Sequence, residues 1–232
     1  MRVLVPAGAA RQGATIVLDE DESHHLRVRR AIPGTDVELR DGRGLAGRGV
    51  LRARGKGWEV EVVEASEHPA PSGLTLAVAA GDRERFLWLV EKAAELGVSR
   101  VVPLITARTE GVATRLRREQ AERLTRKALE ATKQSGALWS PAVTPPARFE
   151  DFLRQAIPGA RWLAAPGGRP PDPVSGEVTV LVGPEGGLTD PERAAALAAG
   201  WTPVAFGPNV LRFETAALAA AAWITTERGR GS

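Results

Sequence analysis

Two patterns of hydrophobic and polar positions divide the chain. Up to about residue 70, apolar and polar residues alternate in short runs such as Val37–Leu39 and Trp58–Val63, the period of strands with one buried face. Turn signals follow or separate these runs at Pro33-Gly34, Asp41-Gly42 and Gly55-Lys56-Gly57. Short strands joined by glycine-rich turns predict a small β domain, a barrel or a sandwich, over residues 1–70.

From Leu74 onward, strand-like and helix-like segments alternate. The uninterrupted apolar run Leu74–Ala80 is typical of a strand buried on both faces of a parallel sheet, and Arg83–Leu96 carries an amphipathic helical stripe. Further strands are predicted at Val98–Ile105, Ala160–Ala165, Val178–Val182 and Trp201–Phe206, and further helices at Arg115–Gln134, Thr189–Ala199 and Glu214–Arg228. The alternation predicts an α/β domain with a mainly parallel sheet over residues 71–232, with Pro166–Gly176 as an exposed loop.

Composition excludes several kinds of chemistry. The 232 residues include no cysteine and three histidines, so thiolate nucleophiles and disulfides are excluded, and we expect no metal site. No apolar run approaches the roughly 20 residues of a membrane span, and the first residues lack the order of a secretory signal. We therefore expect a cytoplasmic protein that has no membrane segment.

One strand-to-helix junction carries the clearest candidate chemistry. The apolar run Val178–Val182 leads into Gly183-Pro-Glu-Gly-Gly187, and Thr189 with Glu192 has the spacing of a helix capping box. Adjacent glycines after a strand let a ligand approach the backbone, and ligands of open α/β sheets bind at the carboxyl ends of strands. The spacing fits neither a Walker loop nor a dinucleotide fingerprint, so a tight turn without a ligand is an equal alternative from the residues alone.

A second junction, Phe206–Ala217, repeats this arrangement. Gly207, Pro208 and Asn209 form a turn before a helix, and Arg212 is a lone cation beside a helix N-terminus that favours anions. A surface Arg–Glu pair is the alternative, but two glycine-bearing strand ends in one half of the chain predict a shared pocket. The segment Gln134-Ser-Gly136 is interpreted as an ordinary helix end.

Arginine makes up 27 of the 31 basic residues, and several arginines cluster in the first domain. The segment Arg40–Lys56 holds six basic residues against the single acid Asp41. Basic loops on a small β domain suit contacts to a polyanionic backbone, whereas a solvated arginine-rich face is the alternative.

Several motifs together are similar to one known family. They are HHLRVRR, DGRG, EKAAELGV, KQSG, LVGPEGGL and LRFETA, in this order. They resemble the bacterial 16S ribosomal RNA uridine-N3 methyltransferases of the SPOUT, trefoil-knotted superfamily, over about His24 to Ala222. The chain departs from the family pattern at Ala137, where arginine is common, and at Val28-Arg29-Arg30, where V-L-R is usual.

The resemblance implies a fold, a cofactor and partners. It implies an N-terminal PUA-like β-barrel that binds RNA and a C-terminal knotted SPOUT-type α/β domain, in a homodimer with the site at the subunit interface. The implied substrate is a uridine in the decoding region of the small ribosomal subunit, and the implied cofactor is S-adenosyl-L-methionine. Cofactor-binding residues carried over by resemblance are Ala164, Ala165, Pro166, Val182, Gly183, Pro184, Glu185, Gly186, Gly187, Phe206, Gly207, Val210, Leu211, Arg212, Thr215 and Ala216. RNA-binding residues are predicted at Arg27, Arg29, Arg30, Arg40, Arg43, Arg48, Arg52 and Arg54.

The implied reaction assigns roles to three side chains. The N3 proton of uracil must leave as the methyl group arrives, so Arg212 would stabilise charge on the uracil oxygens, and Glu185, Glu214 or water would take the proton. A catalytically silent RNA-binding assembly factor and a nucleotide-binding phosphotransferase are the alternatives. The intact Gly183, Glu185, Gly186 and Arg212 argue against the first, and the lack of Lys or Ser/Thr after the glycines argues against the second.

Overall fold

The computed structural model describes residues 1–79, 81–109 and 118–230, with the backbone alone at 118–120. Ala80 and Arg115–Arg117, which were predicted to end a strand and begin a helix, lie outside the described residues. The chain forms two compact units, one of residues 1–70 with 132–140 and one of residues 71–131 with residues from 141 onward. The chain therefore returns to the first unit after residue 131, a feature that the predicted division at residue 70 does not contain.

The first unit is built on a five-stranded sheet. Its strands are β1 (Arg2–Leu4), β2 (Thr15–Val17), β3 (Asp36–Arg40), β4 (Leu45–Arg54) and β5 (Gly57–Glu67), in the order β1-β3-β4-β5-β2. β1 pairs with β3 in parallel, and the other neighbours are antiparallel. The two alternating runs of the sequence lie inside β3 and β5, and their inward side chains, such as Val60, form the core of this unit.

A helix in the first unit was not predicted. Helix α1 (Glu20–Val28) begins at the N-cap Asp19, whose side chain accepts a hydrogen bond from the Glu22 backbone N–H at 2.8 Å. Its buried residues are Glu22, Ser23 and Leu26. Since only one of these three is apolar, the segment has no hydrophobic stripe from which a helix could be recognised.

The second unit contains a parallel sheet, which confirms the predicted α/β fold. Its strands are β6 (Leu74–Ala79), β7 (Arg100–Ile105), β8 (Ala142–Val143), β9 (Ala147–Arg148), β10 (Ala160–Arg169), β11 (Val178–Val182) and β12 (Thr202–Val204). The order is β12-β10-β11-β6-β7-β8, with β9 also on β7, and every pairing is parallel. All five residues of β11 are buried, as expected for a strand in the middle of such a sheet.

Helices cover both faces of this sheet. They are α2 (Arg83–Glu95), α3 (Arg118–Ser135), α4 (Phe149–Leu153), α5 (Asp190–Ala198) and α6 (Phe213–Arg230). One core packs α2, α3 and α6 against side chains such as Val180, and a second packs α4 and α5 against side chains such as Leu181. No helix among the described residues is both long and apolar enough to cross a membrane.

Several boundaries differ from the sequence prediction, most of all the end of β10. β10 continues through Pro166 to Arg169, so the first part of the predicted exposed loop is strand, with a register shift against β12 between Ala164 and Arg169. Proline and glycine residues in 166–168 hide this extension because both residue types are rare inside strands. β12 is shorter than the predicted Trp201–Phe206.

Candidate active site

A cleft opens at the carboxyl ends of β10, β11 and β12. The empty space between its walls is about 780 Å³, a figure that includes open solvent. Most of the cofactor residues carried over by resemblance line it. They are Ala164, Ala165, Pro166, Val182, Gly183, Pro184, Glu185, Gly187, Phe206, Gly207, Val210, Leu211 and Ala216. Two separate glycine-bearing strand ends therefore converge on one pocket.

The loop after β11 owes its shape to local sequence signals. Gly187 has a φ of +72°, a conformation that only glycine adopts readily, and its N–H donates to the Pro184 carbonyl oxygen at 2.7 Å. Helix α5 then begins at Thr189, which forms with Glu192 the capping box predicted from their spacing. This turn sends the chain across the sheet edge and leaves Glu185 exposed at the cleft.

Three of the carried-over residues are not among those lining the cleft: Gly186, Arg212 and Thr215. Arg212 and Thr215 have exposed side chains. A Cβ at Gly186 would lie 3.2 Å from Arg108 Cδ, so its lack of a side chain makes room for an arginine of the same chain. The Gly186 backbone therefore faces Arg108 of the same chain.

Sequence reasoning missed other residues of the cleft wall. They are Leu163, Leu188, Arg193, Val204, Ala205, Asn209 and Phe213. Leu163, Leu188, Val204 and Ala205 lie within two residues of the carried-over segments, and Asn209 and Phe213 fall inside the third segment. Arg193 lies in the first turn of α5, and with Glu185 it supplies the charged groups among the described lining residues.

The two candidate carboxylates occupy different environments. Glu185 is exposed at the cleft, and its carboxylate packs so closely on Gly81 that a Cβ there would overlap Glu185 Oε2. Glu214 is buried in the first turn of α6, with Oε1 at 3.6 Å from Arg85 Nη1. Its Oε2 is buried without a hydrogen-bond partner among the described residues. Of the two, only Glu185 faces the cleft.

A third carboxylate, that of Glu192, holds the turn that follows β7. The backbone N–H groups of Ala107 and Thr189 donate to Glu192 at 2.8 Å each, and the Thr189 hydroxyl donates at 2.9 Å. Burial alone would raise the pKa of the Glu192 carboxyl, but these hydrogen bonds, with Arg108 nearby, hold that pKa below its usual value. Glu192 thus ties the start of α5 to the turn that carries Arg108.

In the first unit, the arginines predicted to bind RNA fall into two groups. On β4, Arg48, Arg52 and Arg54 each pair with a glutamate of β5, at 3.5, 2.9 and 3.4 Å respectively. Arg40 is half-buried and pairs with Glu38 at 3.1 Å. In sequence, Asp41 is the single acid within Arg40–Lys56. In the structure, antiparallel pairing also places Glu59, Glu61 and Glu64 of β5 beside the arginines of β4.

The other group, Arg27, Arg29, Arg30 and Arg43, forms no ion pair among the described residues. Arg29, Arg30 and Arg43 are exposed, with no side-chain partner among the described residues. Arg27 donates to the Lys56 carbonyl oxygen at 3.0 Å. Arg27, Arg29 and Arg30 lie at or just after the end of α1, where the exposed Val28 and Ile32 add apolar surface.

The KQSG motif also belongs to the first unit. Arg2 donates to the Gln134 carbonyl oxygen at 2.8 Å, and Lys133 Nζ lies 2.7 Å from both carboxylate oxygens of Glu22. Gly136 has a φ of +85°, and a Cβ there would meet Arg2 Cζ at 2.7 Å. This segment was interpreted as an ordinary helix end. In the structure it makes specific hydrogen bonds that hold this end of α3 against β1 and α1.

Comparisons with known proteins agree with this geometry. Residues 68–225 match a family described as the RNA methyltransferase domain, and residues 18–66 match the RNA methyltransferase PUA domain. The ribosomal RNA small subunit methyltransferase E of Synechocystis is 33% identical over 226 residues, covering 91% of this chain and 73% of the relative.

Two solved structures are similar over nearly the full length. The ribosomal RNA small subunit methyltransferase E of Neisseria gonorrhoeae, bound to S-adenosylmethionine, has a TM-score of 0.86 and 29% identity, covering 97% of this chain and 96% of that chain. A protein of Legionella pneumophila, solved with bound S-adenosylmethionine, has a TM-score of 0.79 and 26% identity, with the same coverage of 97% and 96%. With its cleft at the strand ends and its PUA-like first unit, the chain belongs to the ribosomal RNA small subunit methyltransferase E family.

Proposed function

We propose that the protein is an S-adenosylmethionine-dependent methyltransferase that methylates N3 of a uridine in the decoding region of 16S ribosomal RNA. We propose the small ribosomal subunit as its substrate and the cytoplasm as its location. The observation that carries the proposal is the cleft, which three strand-end segments build in a chain that belongs to this family. Its relative from Neisseria gonorrhoeae, of similar fold, was crystallised with S-adenosylmethionine.

The residues of the cleft suit this cofactor. Apolar side chains such as Leu163, Val204 and Phe213 give a dry wall for a flat purine, and the small residues Gly183 and Gly207 leave backbone groups uncovered for hydrogen bonds. When bound, the cofactor supplies a methyl group on a sulfonium, an electrophile that needs in-line approach of the nucleophile. The chain's own contribution is therefore chiefly positioning, which can be worth about 7–11 kcal/mol in a well-oriented reaction.

Two side chains suit the acid–base chemistry at the uracil ring. Arg212 is exposed between two residues of the cleft wall, and no described residue pairs with its guanidinium, so its donors are open to the uracil oxygens. Glu185 is the carboxylate at the cleft, and it suits removal of the N3 proton. Glu214 is better suited to holding the start of α6 in place, because it is buried and faces Arg85.

The family resemblance also supports a homodimer and a trefoil knot. Half-buried Leu218, Ala219 and Ala222 follow one side of α6, which leaves apolar surface for a second copy of the chain. The match of residues 18–66 to a PUA domain supports RNA binding by the first unit. Its open arginines at the end of α1 suit phosphate contacts better than the paired arginines of β4.

Mapping of modified bases tests the reaction. Ribosomal RNA from cells with and without the protein is digested and examined by mass spectrometry, and purified small subunits from the deficient cells are then incubated with the protein and labelled S-adenosylmethionine. We expect one N3-methyluridine to be lost in the deficient cells and restored in vitro. A methyl group on another atom would overturn the assignment to N3.

Calorimetry with two ligands separates the alternatives. We expect S-adenosylmethionine to bind and ATP not to bind. An assembly factor without catalytic activity would leave the modification pattern unchanged, and a phosphotransferase would bind ATP instead.

A further inference from the structure

The turn that follows β7 holds one arginine in a fixed position. In this turn, Thr106–Thr109, the Thr109 backbone N–H donates to the Thr106 carbonyl oxygen and the Thr106 N–H donates to the Thr109 hydroxyl, both at 3.0 Å. The two threonine hydroxyls also lie 3.0 Å apart, and both residues are buried. Buried hydroxyls that satisfy each other are costly to rearrange, so the turn presents the exposed Arg108 from a rigid base.

Glu192 attaches this turn to the start of α5. Its Oε1 accepts a hydrogen bond from the Ala107 N–H at 2.8 Å, immediately before Arg108. Its Oε2 accepts from Thr189, which caps α5. The position of Arg108 relative to the loop Gly183–Gly187 is thus set by a buried carboxylate.

Arg108 lies against that loop and is not among the residues that line the cleft. The Gly186 backbone faces it, since a Cβ there would lie 3.2 Å from Arg108 Cδ, whereas Glu185 and Gly187 line the cleft. The guanidinium makes one long hydrogen bond, at 3.4 Å from Nη1 to the Gly187 carbonyl oxygen. Glu192 is near enough to Arg108 for an electrostatic interaction, but no described carboxylate forms an ion pair with it, and the Arg108 side chain is exposed.

Two other exposed arginines follow strands of the same sheet. Arg83 comes shortly after β6, and Arg212 follows β12. Because the strands are parallel, their carboxyl ends share one edge, which is the edge that carries the cleft. Neither arginine has a side-chain partner in the part of the chain that the structure describes, whereas the arginines of β4 are neutralised by glutamates. Three exposed arginines, Arg83, Arg108 and Arg212, thus follow strands whose carboxyl ends share the edge of the cleft.

We propose that Arg108 binds a backbone phosphate of the RNA whose base is presented to the cleft. This inference rests on the proposed function, since it assumes RNA at this edge of the sheet. A guanidinium fork matches the geometry of phosphate oxygens, and a fixed turn lowers the entropy cost of holding it there. Arg108 is then an RNA-binding residue of the methyltransferase unit that has no contact with the cofactor.

Binding of a fluorescent oligouridylate at several salt concentrations tests the proposal with Arg108→Gln. We expect about a tenfold loss of affinity at low salt and a salt slope flatter by about 0.7, the value for one phosphate on a single strand. Arg108→Lys should keep the salt slope. The matched control is Arg154→Gln, which removes another exposed charge, one that is paired with Asp151 on α4. It should leave RNA affinity and salt slope unchanged.

Further measurements on the same variants separate the possible outcomes. Arg108→Gln should bind S-adenosylmethionine with unchanged affinity and unfold at a temperature close to that of the unmodified protein. Unchanged RNA affinity and salt slope would overturn the inference, and so would a weakened cofactor affinity, which would mean that Arg108 only shapes the loop. If the unmodified protein binds no S-adenosylmethionine, the proposed function itself fails, and that result is independent of Arg108.

Discussion

Gly186 and Gly207 face different neighbours. The Gly186 backbone faces Arg108, whereas Gly207 lines the cleft, and a Cβ at Gly207 would be 3.6 Å from Leu211 Cδ1, an ordinary contact. Both positions look alike in sequence, as glycines just after a strand. The sequence shows that neither position has a side chain. It does not show which neighbour each backbone faces, because that depends on segments far away in the chain.

Gly207→Val should weaken cofactor binding without unfolding the protein. Its φ lies outside the left-handed region, so a side chain is tolerated, but its methyl groups would occupy the cleft beside Leu211. We expect at least a tenfold loss of S-adenosylmethionine affinity by calorimetry. Gly176→Val is the matched control, since a Cβ there meets nothing within 4 Å. Equal affinities for the two variants would remove Gly207 from the site.

Glu192 should make the free energy of unfolding depend on pH. Hydrogen bonds hold its pKa in the folded state below its usual value, so its stabilisation is fully present above the unfolded pKa of about 4.3. It is lost as the pH falls through the lower folded pKa. Glu192→Gln should lower the free energy of unfolding by about 1–3 kcal/mol at neutral pH, because a carboxylate that accepts from Ala107 and Thr189 is replaced.

Chemical unfolding from neutral to acidic pH measures this effect. The difference between the unmodified protein and Glu192→Gln should shrink as the pH falls below about 4. Glu150→Gln, at an exposed position of α4, should show no such dependence. A difference that stays constant with pH would show that Glu192 acts through shape and not through its charge.

Among the elements, the longer strands and helices of the second unit were predicted, whereas α1, α4 and the short strands β8 and β9 were not. The strand β11 and the helix α2 agree with the predicted segments to within one residue. In contrast, α1 buries Glu22 and Ser23, and the end of α3 is held by Lys133. Buried polar residues give no hydrophobic signal, because their burial is stable only once a partner is present.

The buried pair between Glu22 and Lys133 should be a main stabilising contact of the first unit. Lys133 Nζ lies 2.7 Å from Glu22, and only 12% and 9% of the two side chains are exposed. Lys133→Met leaves a buried carboxylate without its cation, which should cost about 3–5 kcal/mol in the free energy of unfolding. The double variant Glu22→Gln with Lys133→Met should recover most of the loss, since the Leu4 N–H keeps an acceptor.

A more exposed pair provides the control for that experiment. Lys127 pairs with Glu91 at 2.8 Å, with 37% and 25% of the side chains exposed. Lys127→Met should cost less than about 1 kcal/mol because solvent screens the pair. If both lysine variants lost the same stability, burial of the Glu22 pair would not be the cause.

At the scale of the whole molecule, we expect α6 at the interface of the proposed homodimer, because its run Ala216–Trp223 contains no polar side chain. Part of the apolar surface of α6 is buried within the chain. Phe213, Ala217, Ala220, Ala221 and Ile224 lie in the core beside α2.

The far end of α6 is held by Arg228, which donates to the carbonyl oxygens of Ser72 at 2.9 Å and Gly73 at 3.3 Å and also to that of Gly176. Burial lowers the pKa of that guanidinium, which still carries its charge at neutral pH. The half-exposed side with Leu218 remains for a second copy.

Light scattering should show a homodimer. We expect a mass close to twice the chain mass of 24.6 kDa at micromolar concentration. Leu218→Asp should shift the protein toward monomers, because a charge would enter an apolar interface. Leu197→Asp, on α5 at a position that is 45% exposed, should leave the mass unchanged. A monomeric mass for the unmodified protein would contradict the proposed dimer.

The sequence by itself determined the longer strands and helices of the second unit, though not β8, β9 and α4, together with the capping box at Thr189 and the two glycine-bearing strand ends. These features depend on residues close together in the chain. Only the tertiary structure decided that the arginines of β4 face glutamates of β5, that residues 132–140 join the first unit, and that Arg108 lies on the loop after β11. Such contacts depend on strand register and on segments far apart in sequence. A hydrophobic period specifies which face of an element is buried, but it does not specify the partner against which that face packs.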